Sequence, residues 1–292
     1  MHQARQQLLL HQLSKYFDVD VKDYRSPYAD ILGTTANMAD YFQGVLTNNH
    51  YDLVLIRGDR FEVLPIAMMA SYRGFRVAHL EGGDVSGAID NKVRKAITAL
   101  ADIHFATNKE SYARLIAMGT DPDWTFNLGS LDVEYANSIV KKEKPSKQYV
   151  MLCHHAMEGE DPALIEKIIR EEFKGKLIVI KSNSDNGTPY GTEEYEPKEY
   201  LNLLANASCL VGNSSSFIKE ASIFGVPVVN VGSRQVHRLK SHNVKDVPFQ
   251  EYQIRQTFKM QLQAKYEPSY LYYQAGTSSK IAEKINEFLS IG

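Results

Sequence analysis

Hydrophobic positions along this chain recur with two periods that take turns. Short apolar runs of strand length alternate with longer stretches whose apolar residues return at helical spacing. In the first half the pattern predicts a helix over Met1–Lys15, a strand over Asp18–Tyr24 and a helix over Thr35–Leu46. A strand over Asp52–Ile56, a helix over Phe61–Tyr72, a strand over Arg76–Leu80 and a helix over Asp90–Ala101 follow. His104-Phe105-Ala106 reads as a short strand and Lys109–Met118 as a helix. The second half restarts the alternation. It predicts strands over Tyr149–Cys153, Lys176–Ile180, Cys209–Val211 and Val226–Val231, and helices over Ala163–Phe173, Lys198–Asn206, Ser215–Phe224 and Ser278–Ser290. Runs such as Leu53-Val54-Leu55-Ile56 are apolar without alternation, as strands buried on both faces tend to be. Strand and helix in strict succession imply right-handed βαβ units and an α/β fold of two parallel-sheet domains.

Lys141-Lys142-Glu143-Lys144-Pro145-Ser146-Lys147 has no apolar face and divides the chain into domains 1–140 and 148–292, with the last helix placed where it can pack back on the N-terminal domain. A length of 292 residues suits two such domains. A formal net charge of −2 leaves no global field to attract nucleic acid or an acidic membrane. The two cysteines, Cys153 and Cys209, lie inside apolar runs, so a disulfide framework is excluded and a reducing cytoplasm is the simplest compartment. The longest apolar stretch, Val63–Tyr72, is too short to span a bilayer.

Chemistry gathers where strands end. Open α/β sheets bind ligands beyond the carboxyl ends of their strands. Gly58-Asp59-Arg60 and Glu81-Gly82-Gly83-Asp84 close two successive strands, and Asp90 opens the next helix. Carboxylates gathered in a cleft raise one another's pKa, so one can act as acid or base. Gly212-Asn213-Ser214-Ser215-Ser216 follows a strand and opens a helix, where unpaired N–H groups, the helix dipole and hydroxyl donors suit a diphosphate. A single Ser or Asn there would be read as a cap; four polar residues together favour binding over capping. His154 and His155 end the first strand of the second domain. Asn183–Thr192 is a loop at the mouth of its sheet, rich in Asn, Asp, Gly and Pro. No Cys/His spacing supports a metal site, and no Gly-x-Gly-x-x-Gly or Walker loop supports a nicotinamide or ATP cofactor.

Gly58-Asp59-Arg60, His79-Leu80-Glu81-Gly82-Gly83 with Ser86-Gly87, Arg94 with Ala96-Ile97-Thr98, and Gly212-Asn213-Ser214-Ser215-Ser216 with Glu220 and Gly232-Ser233-Arg234-Gln235 resemble the hydrolysing UDP-N-acetylglucosamine 2-epimerases, from about Asp18 onward. The resemblance implies two Rossmann-like domains of GT-B type with the active site between them, no cofactor, a UDP-sugar substrate and a homodimer or homotetramer. It implies conversion of UDP-N-acetylglucosamine, or a diacetamido-trideoxy analogue, to the N-acetylmannosamine-type sugar plus UDP, as for sialic or legionaminic acids. It assigns Asp59, Glu81, Asp90 and His154 to catalysis. Arg60, Arg94, Asn183, Ser214, Ser215, Glu220 and Arg234 become substrate or UDP contacts. Lys95 stands where the family usually has histidine, His155 replaces proline, and Phe217 and His237 replace glycines. The family's opening strand and its nucleotide-contacting loop have no counterpart, so the N-terminal domain reads as incomplete, with a start expected upstream. A silent sugar-nucleotide-binding protein and a GT-B glycosyltransferase are the competing readings.

Overall fold

The computed structural model describes residues 12–20, 30–86, 90–141, 148–183 and 189–291, which form two compact units. The first unit, residues 10–130 with 274–292, holds a four-stranded parallel sheet in the order β1 (Leu53–Arg57), β2 (Arg76–Leu80), β3 (Ile103–Ala106), β4 (Thr125–Asn127). Its helices are α1 (Ile31–Asn48), α2 (Leu64–Tyr72), α3 (Asp90–Leu100) and α4 (Lys109–Ala117). The second unit, the described residues within 131–273, holds α5 (Leu131–Ile139) and a five-stranded parallel sheet. That sheet comprises β5 (Tyr149–Cys153), β6 (Lys176–Val179), β9 (Cys209–Gly212), β10 (Val228–Val231) and β11 (Val244–Val247), in the order β11-β10-β9-β5-β6. A small antiparallel hairpin joins β7 (Ser182–Asn183) to β8 (Pro189–Tyr190). The helices between are α6 (Pro162–Glu172), α7 (Pro197–Asn206), α8 (Ser215–Lys219) and α9 (Glu251–Gln263). Among the described residues, no helix is long and apolar enough to cross a membrane.

Continuous apolar strands are the consequence of helices on both faces. Along β5, Met151 and Cys153 join one buried cluster with Leu210, Phe217 and Val228, while Val150 and Leu152 join the opposite one with Ile165, Ile169 and Phe258. In the first unit Ile56 and Val77 pack with Leu46, Ile66, Ala70 and Ile97. Burying one such side chain stabilises by about 1.5–3 kcal/mol, which offsets the ordering of the strands.

Several expectations shift. The division into units falls after Ser130 rather than in the charged segment 141–147, because Val133 and Ala136 of α5 are wholly buried in the second unit's core beside Tyr200 and Leu204. The chain leaves that core after Tyr273, and helix α10 (Thr277–Ser290) lies with the first unit. There Thr277 Oγ1 donates to Leu128 O at 2.7 Å, Arg76 Nη1 donates to Phe288 O at 3.0 Å, and the Trp124 and Phe288 rings meet edge to face at 4.8 Å. Asp18–Asp20 are not in a strand; the rest of that expected strand, and all of the expected first helix except Gln12–Lys15, lie outside the described residues. Gln12 and Leu13 are helical. Among the described residues β1 pairs with β2 alone. The helix expected over Ser215–Phe224 is α8 followed by a 3-10 turn over Ala221–Phe224. Phe217, where the family has glycine, turns its ring wholly into the core.

A buried histidine locks the first unit's strand ends. His79 Nε2 lies 2.9 Å from Gly58 O and Nδ1 3.1 Å from Thr98 Oγ1, so one ring ties the turn before Asp59 to helix α3. Burial above all, with the charge of Arg94, holds the His79 pKa down at about 4; burial and His79 do the same for His104. Unfolded histidine titrates near 6.5, so the unfolded chain binds more protons between these values. Stability is therefore complete above about pH 6.5 and falls as pH drops towards 4. Each histidine contributes up to about 3 kcal/mol to this loss, and urea midpoints measured across that window will read it.

The second unit's strand ends depend on Gly212. Its φ is +128°, and a Cβ there would lie 2.1 Å from Cys153 O. Gly212→Ala is expected to cost about 2–4 kcal/mol, from backbone strain and overpacking together. Gly44→Ala, in helix α1 with open space around it, should instead stabilise by about 0.5–1 kcal/mol. Urea denaturation of the two variants would measure both.

Candidate functional site

Parallel pairing sets Arg57 opposite Leu80, so the chain continues from β1 into Asp59 and from β2 into Glu81 along one edge of the first sheet. Gly58 N donates to Leu80 O at 3.0 Å and Glu81 N to Phe105 O at 2.9 Å, which extends the sheet's bonding into these turns. Each carboxylate then meets a guanidinium. Arg57 Nη2 donates to Glu81 Oε1 at 2.8 Å, both side chains being about one-fifth exposed. Arg94, only 7% exposed, donates to Asp59 Oδ2, to Asp84 O and to Asn91 Oδ1. Glu81 is the one described non-glycine residue with positive φ, at +65°. Such backbone costs about 1–3 kcal/mol and collects at functional sites.

Asp90 is the first residue of α3, where a carboxylate suits the helix dipole. Arg60 joins the group: burial works to lower its pKa, but the bond and charge of Glu62 and the charges of Asp90 and Asp59 raise it overall. Asp59, Asp90, Arg60 and Arg94 thus form one charged constellation. Asp84 anchors the turn after Glu81. It is buried and accepts from Ser111 Oγ at 2.6 Å and Thr107 Oγ1 at 3.2 Å.

The second unit brings three loops together at adjacent strand ends, after β5, β9 and β10. Asn213, in sequence only one member of a polar run, is the hub. His155 N donates to its Oδ1 at 2.7 Å, and its Nδ2 donates to His155 O at 2.9 Å. Its own carbonyl accepts from Arg234 Nη1 at 3.2 Å and from Gln235 Nε2 at 3.0 Å. Ser214 occupies the cap position of α8 without making a side-chain capping bond, so the capping reading of its hydroxyl fails. Ser215 opens the helix; Ser216 Oγ donates to Glu220 Oε1 at 3.1 Å, both residues being buried. Asn183 lies in the hairpin, paired across to Pro189. The structure therefore draws Ser214, Ser215, Glu220 and Arg234 around one strand end, with His154 and His155 on the neighbouring one.

His154 is wholly buried, its Nε2 2.8 Å from Glu160 Oε2. Burial pushes the Glu160 pKa up, but the hydrogen bonds from His154 and the Met157 amide, with the charge of His154, hold it below the usual carboxylate range. Sequence reasoning missed Glu160, Arg57 and Asn213's bracketing role. Arg57 alone carried a signal, as a cation closing an otherwise apolar strand. Among the described residues no cluster of His, Cys, Asp or Glu has metal-binding geometry. The first unit can thus offer acid and base groups, and the second a cradle of amide, hydroxyl and guanidinium donors for a nucleoside diphosphate.

The UDP-N-acetylglucosamine 2-epimerase family matches residues 2–286. A Legionella pneumophila UDP-N,N'-diacetylbacillosamine 2-epimerase (hydrolyzing) is 35% identical over 70% of this chain. That match spans 63% of the Legionella protein's own length. The Escherichia coli polysialic acid biosynthesis protein P7 is 28% identical over 80% of this chain and 68% of its own. In structure, the S. aureus MnaA-UDP co-structure superposes with a TM-score of 0.79 over 97% of this chain and 87% of its own, at 17% identity. The Neisseria meningitidis UDP-GlcNAc 2-epimerase bound to UDP-GlcNAc gives 0.73 over 96% and 89%, at 16% identity. The fold is α/β, two Rossmann-like parallel-sheet units of the GT-B class, and the chain belongs to the UDP-N-acetylglucosamine 2-epimerase family.

Proposed function

We propose that this chain carries out the hydrolysing epimerisation of UDP-N-acetylglucosamine, or a diacetamido-trideoxy analogue, to the N-acetylmannosamine-type sugar and UDP, supplying nonulosonic acid biosynthesis. The observation that carries the reading is the pair of arginine-held carboxylates, Asp59 and Glu81, ending adjacent strands in a member of this family. The Legionella relative, named as a hydrolysing epimerase, supports the hydrolysing outcome and the diacetamido alternative. The solved relatives holding UDP or UDP-GlcNAc support the substrate class.

In this reading a carboxylate removes the proton from C2 as the C1–O bond to UDP breaks, leaving a glycal. Water then adds across the double bond, its oxygen to C1 and a proton to C2 from the opposite face. Asp59, Glu81 and Asp90 supply the base and acid between them. Arg57 and Arg94 hold two of these carboxylates in place through charge-assisted hydrogen bonds. Ser214, Ser215, Arg234 and the α8 amides stabilise the charge that develops on the departing diphosphate. Glu220 is assigned to the ribose, and Arg60 and Asn183 to substrate contact.

The deciding experiment is UDP release from UDP-N-acetylglucosamine by the purified chain, with the sugar product identified by NMR. N-acetylmannosamine plus UDP establishes the reading. UDP bound without turnover establishes instead a silent sugar-nucleotide-binding protein. Transfer of sugar only to an added acceptor would identify a glycosyltransferase.

Two sets of variants separate the roles. Asp59→Asn and Glu81→Gln are each expected to lower kcat by about 100-fold or more while leaving UDP affinity by calorimetry within about threefold. Ser214→Ala and Arg234→Ala should weaken UDP binding by about tenfold each, the worth of a hydrogen bond to a charged group, in the same calorimetric titration.

A further inference from the structure

Glu160 lies six positions beyond His154 in the loop between β5 and α6. Its Oε2 takes His154 Nε2 at 2.8 Å and the Met157 backbone N–H at 3.1 Å. An ionised carboxylate only accepts hydrogen bonds, so the histidine nitrogen facing it carries the proton. The carboxylate is itself confined: a Cβ at Gly232 would fall 2.4 Å from Glu160 Oε1. The ring packs near Phe249, with centroids 5.7 Å apart, and Ser182 Oγ donates to the His154 carbonyl. The imidazole is thus fixed in orientation and in tautomer.

The other ring nitrogen is the informative one. His154 Nδ1 is buried and has no hydrogen-bond partner among the described residues. A buried polar atom left unpaired in a side chain otherwise so fully held marks a place where a ligand atom would restore the missing bond. His154 also adjoins the cradle: the Cβ position of Gly212 is 3.2 Å from His154 N, and Asn213 bonds both backbone groups of His155.

We propose that Glu160 is a positioning residue that keeps the proton on His154 Nε2 and presents Nδ1 to the diphosphate or glycosidic oxygen of the bound nucleotide sugar. Nδ1 bonds that oxygen once it has taken a proton from solvent, and Glu160 then balances the imidazolium charge; passing this proton to the UDP oxygen as the C1–O bond breaks returns the ring to its original tautomer. The role of His154 with a nucleotide sugar rests on the function proposed above; the tautomer and its dependence on Glu160 do not.

The test is long-range proton–nitrogen NMR of the full chain labelled with 15N-histidine, with His154 assigned through the backbone. The protonated-Nε2 tautomer is expected, and added UDP should move the Nδ1 resonance. Glu160→Ala should abolish the tautomer preference and lower the UDP release rate at least about tenfold, with KM within about threefold. Glu160→Asp should recover part of that rate. A purely structural Glu160 would change thermal stability without moving the tautomer. A proton on Nδ1 in the unaltered chain, a tautomer unchanged in Glu160→Ala, or an Nδ1 resonance indifferent to UDP would each overturn the proposal. If the chain binds UDP but never turns substrate over, the epimerase reading fails while the tautomer and UDP titration still decide this one. If Glu160→Ala does not fold, those two measurements on the unaltered chain are sufficient.

Discussion

A strand buried on both faces has nowhere to put a charge except its ends. Tyr149–Cys153 runs with successive side chains entering opposite apolar clusters, so any polar group within it would lose its water without gaining a partner. This burial requirement is what collects the chemistry. Asp59 and Glu81 in one unit, and His154, Asn213 and Ser214 in the other, each stand just past the last buried residue of a strand. The strand ends are also where backbone groups run out of ladder partners, so side chains take over the bonding there. Asn213 does so by engaging both backbone groups of His155 through its amide, much as a neighbouring strand would.

Much of this was legible because burial writes itself into sequence. Arg76–Leu80 and Tyr149–Cys153 have the bounds that their apolar runs predict. Thr125–Asn127 escaped because three residues are too few to show a period. Val244–Val247 escaped because it is an edge strand with Lys245 and Asp246 exposed at its centre. In Glu251–Gln263 the buried positions are Ile254, Phe258 and Gln261, and the glutamine hides the helical stripe from a count of apolar residues. Gln261 is tolerated inside because its amide donates to Val228 O and Asn243 O.

The candidate residues show the same asymmetry. Carboxylates and hydroxyls at strand ends announce themselves by type and place. Their partners do not: Arg57 sits 24 positions from Glu81 and Arg94 35 from Asp59, and only the parallel register brings them within reach. Glu160 is close to His154 in the chain, yet nothing in its surroundings there distinguishes it from the neighbouring Glu158. Phe217 illustrates the converse. A ring in place of glycine suggests a crowded cradle, and the helical turn instead points it into the core.

The two chain crossings, after Ser130 and after Tyr273, carry a consequence for biosynthesis. Residue 76 hydrogen-bonds residue 288 across 212 positions of sequence, and Thr277 closes onto Leu128 across 149. A ribosome delivers the chain from the amino end, so every residue of the 131–273 segment emerges before helix α10 does. The unit holding Asp59 and Glu81 must therefore wait, with the surface around Trp124 uncovered, while the later-encoded unit is synthesised in full. Of the two units, the one translated earlier is completed later, and a chaperone that shields aromatic surface would have its longest opportunity there.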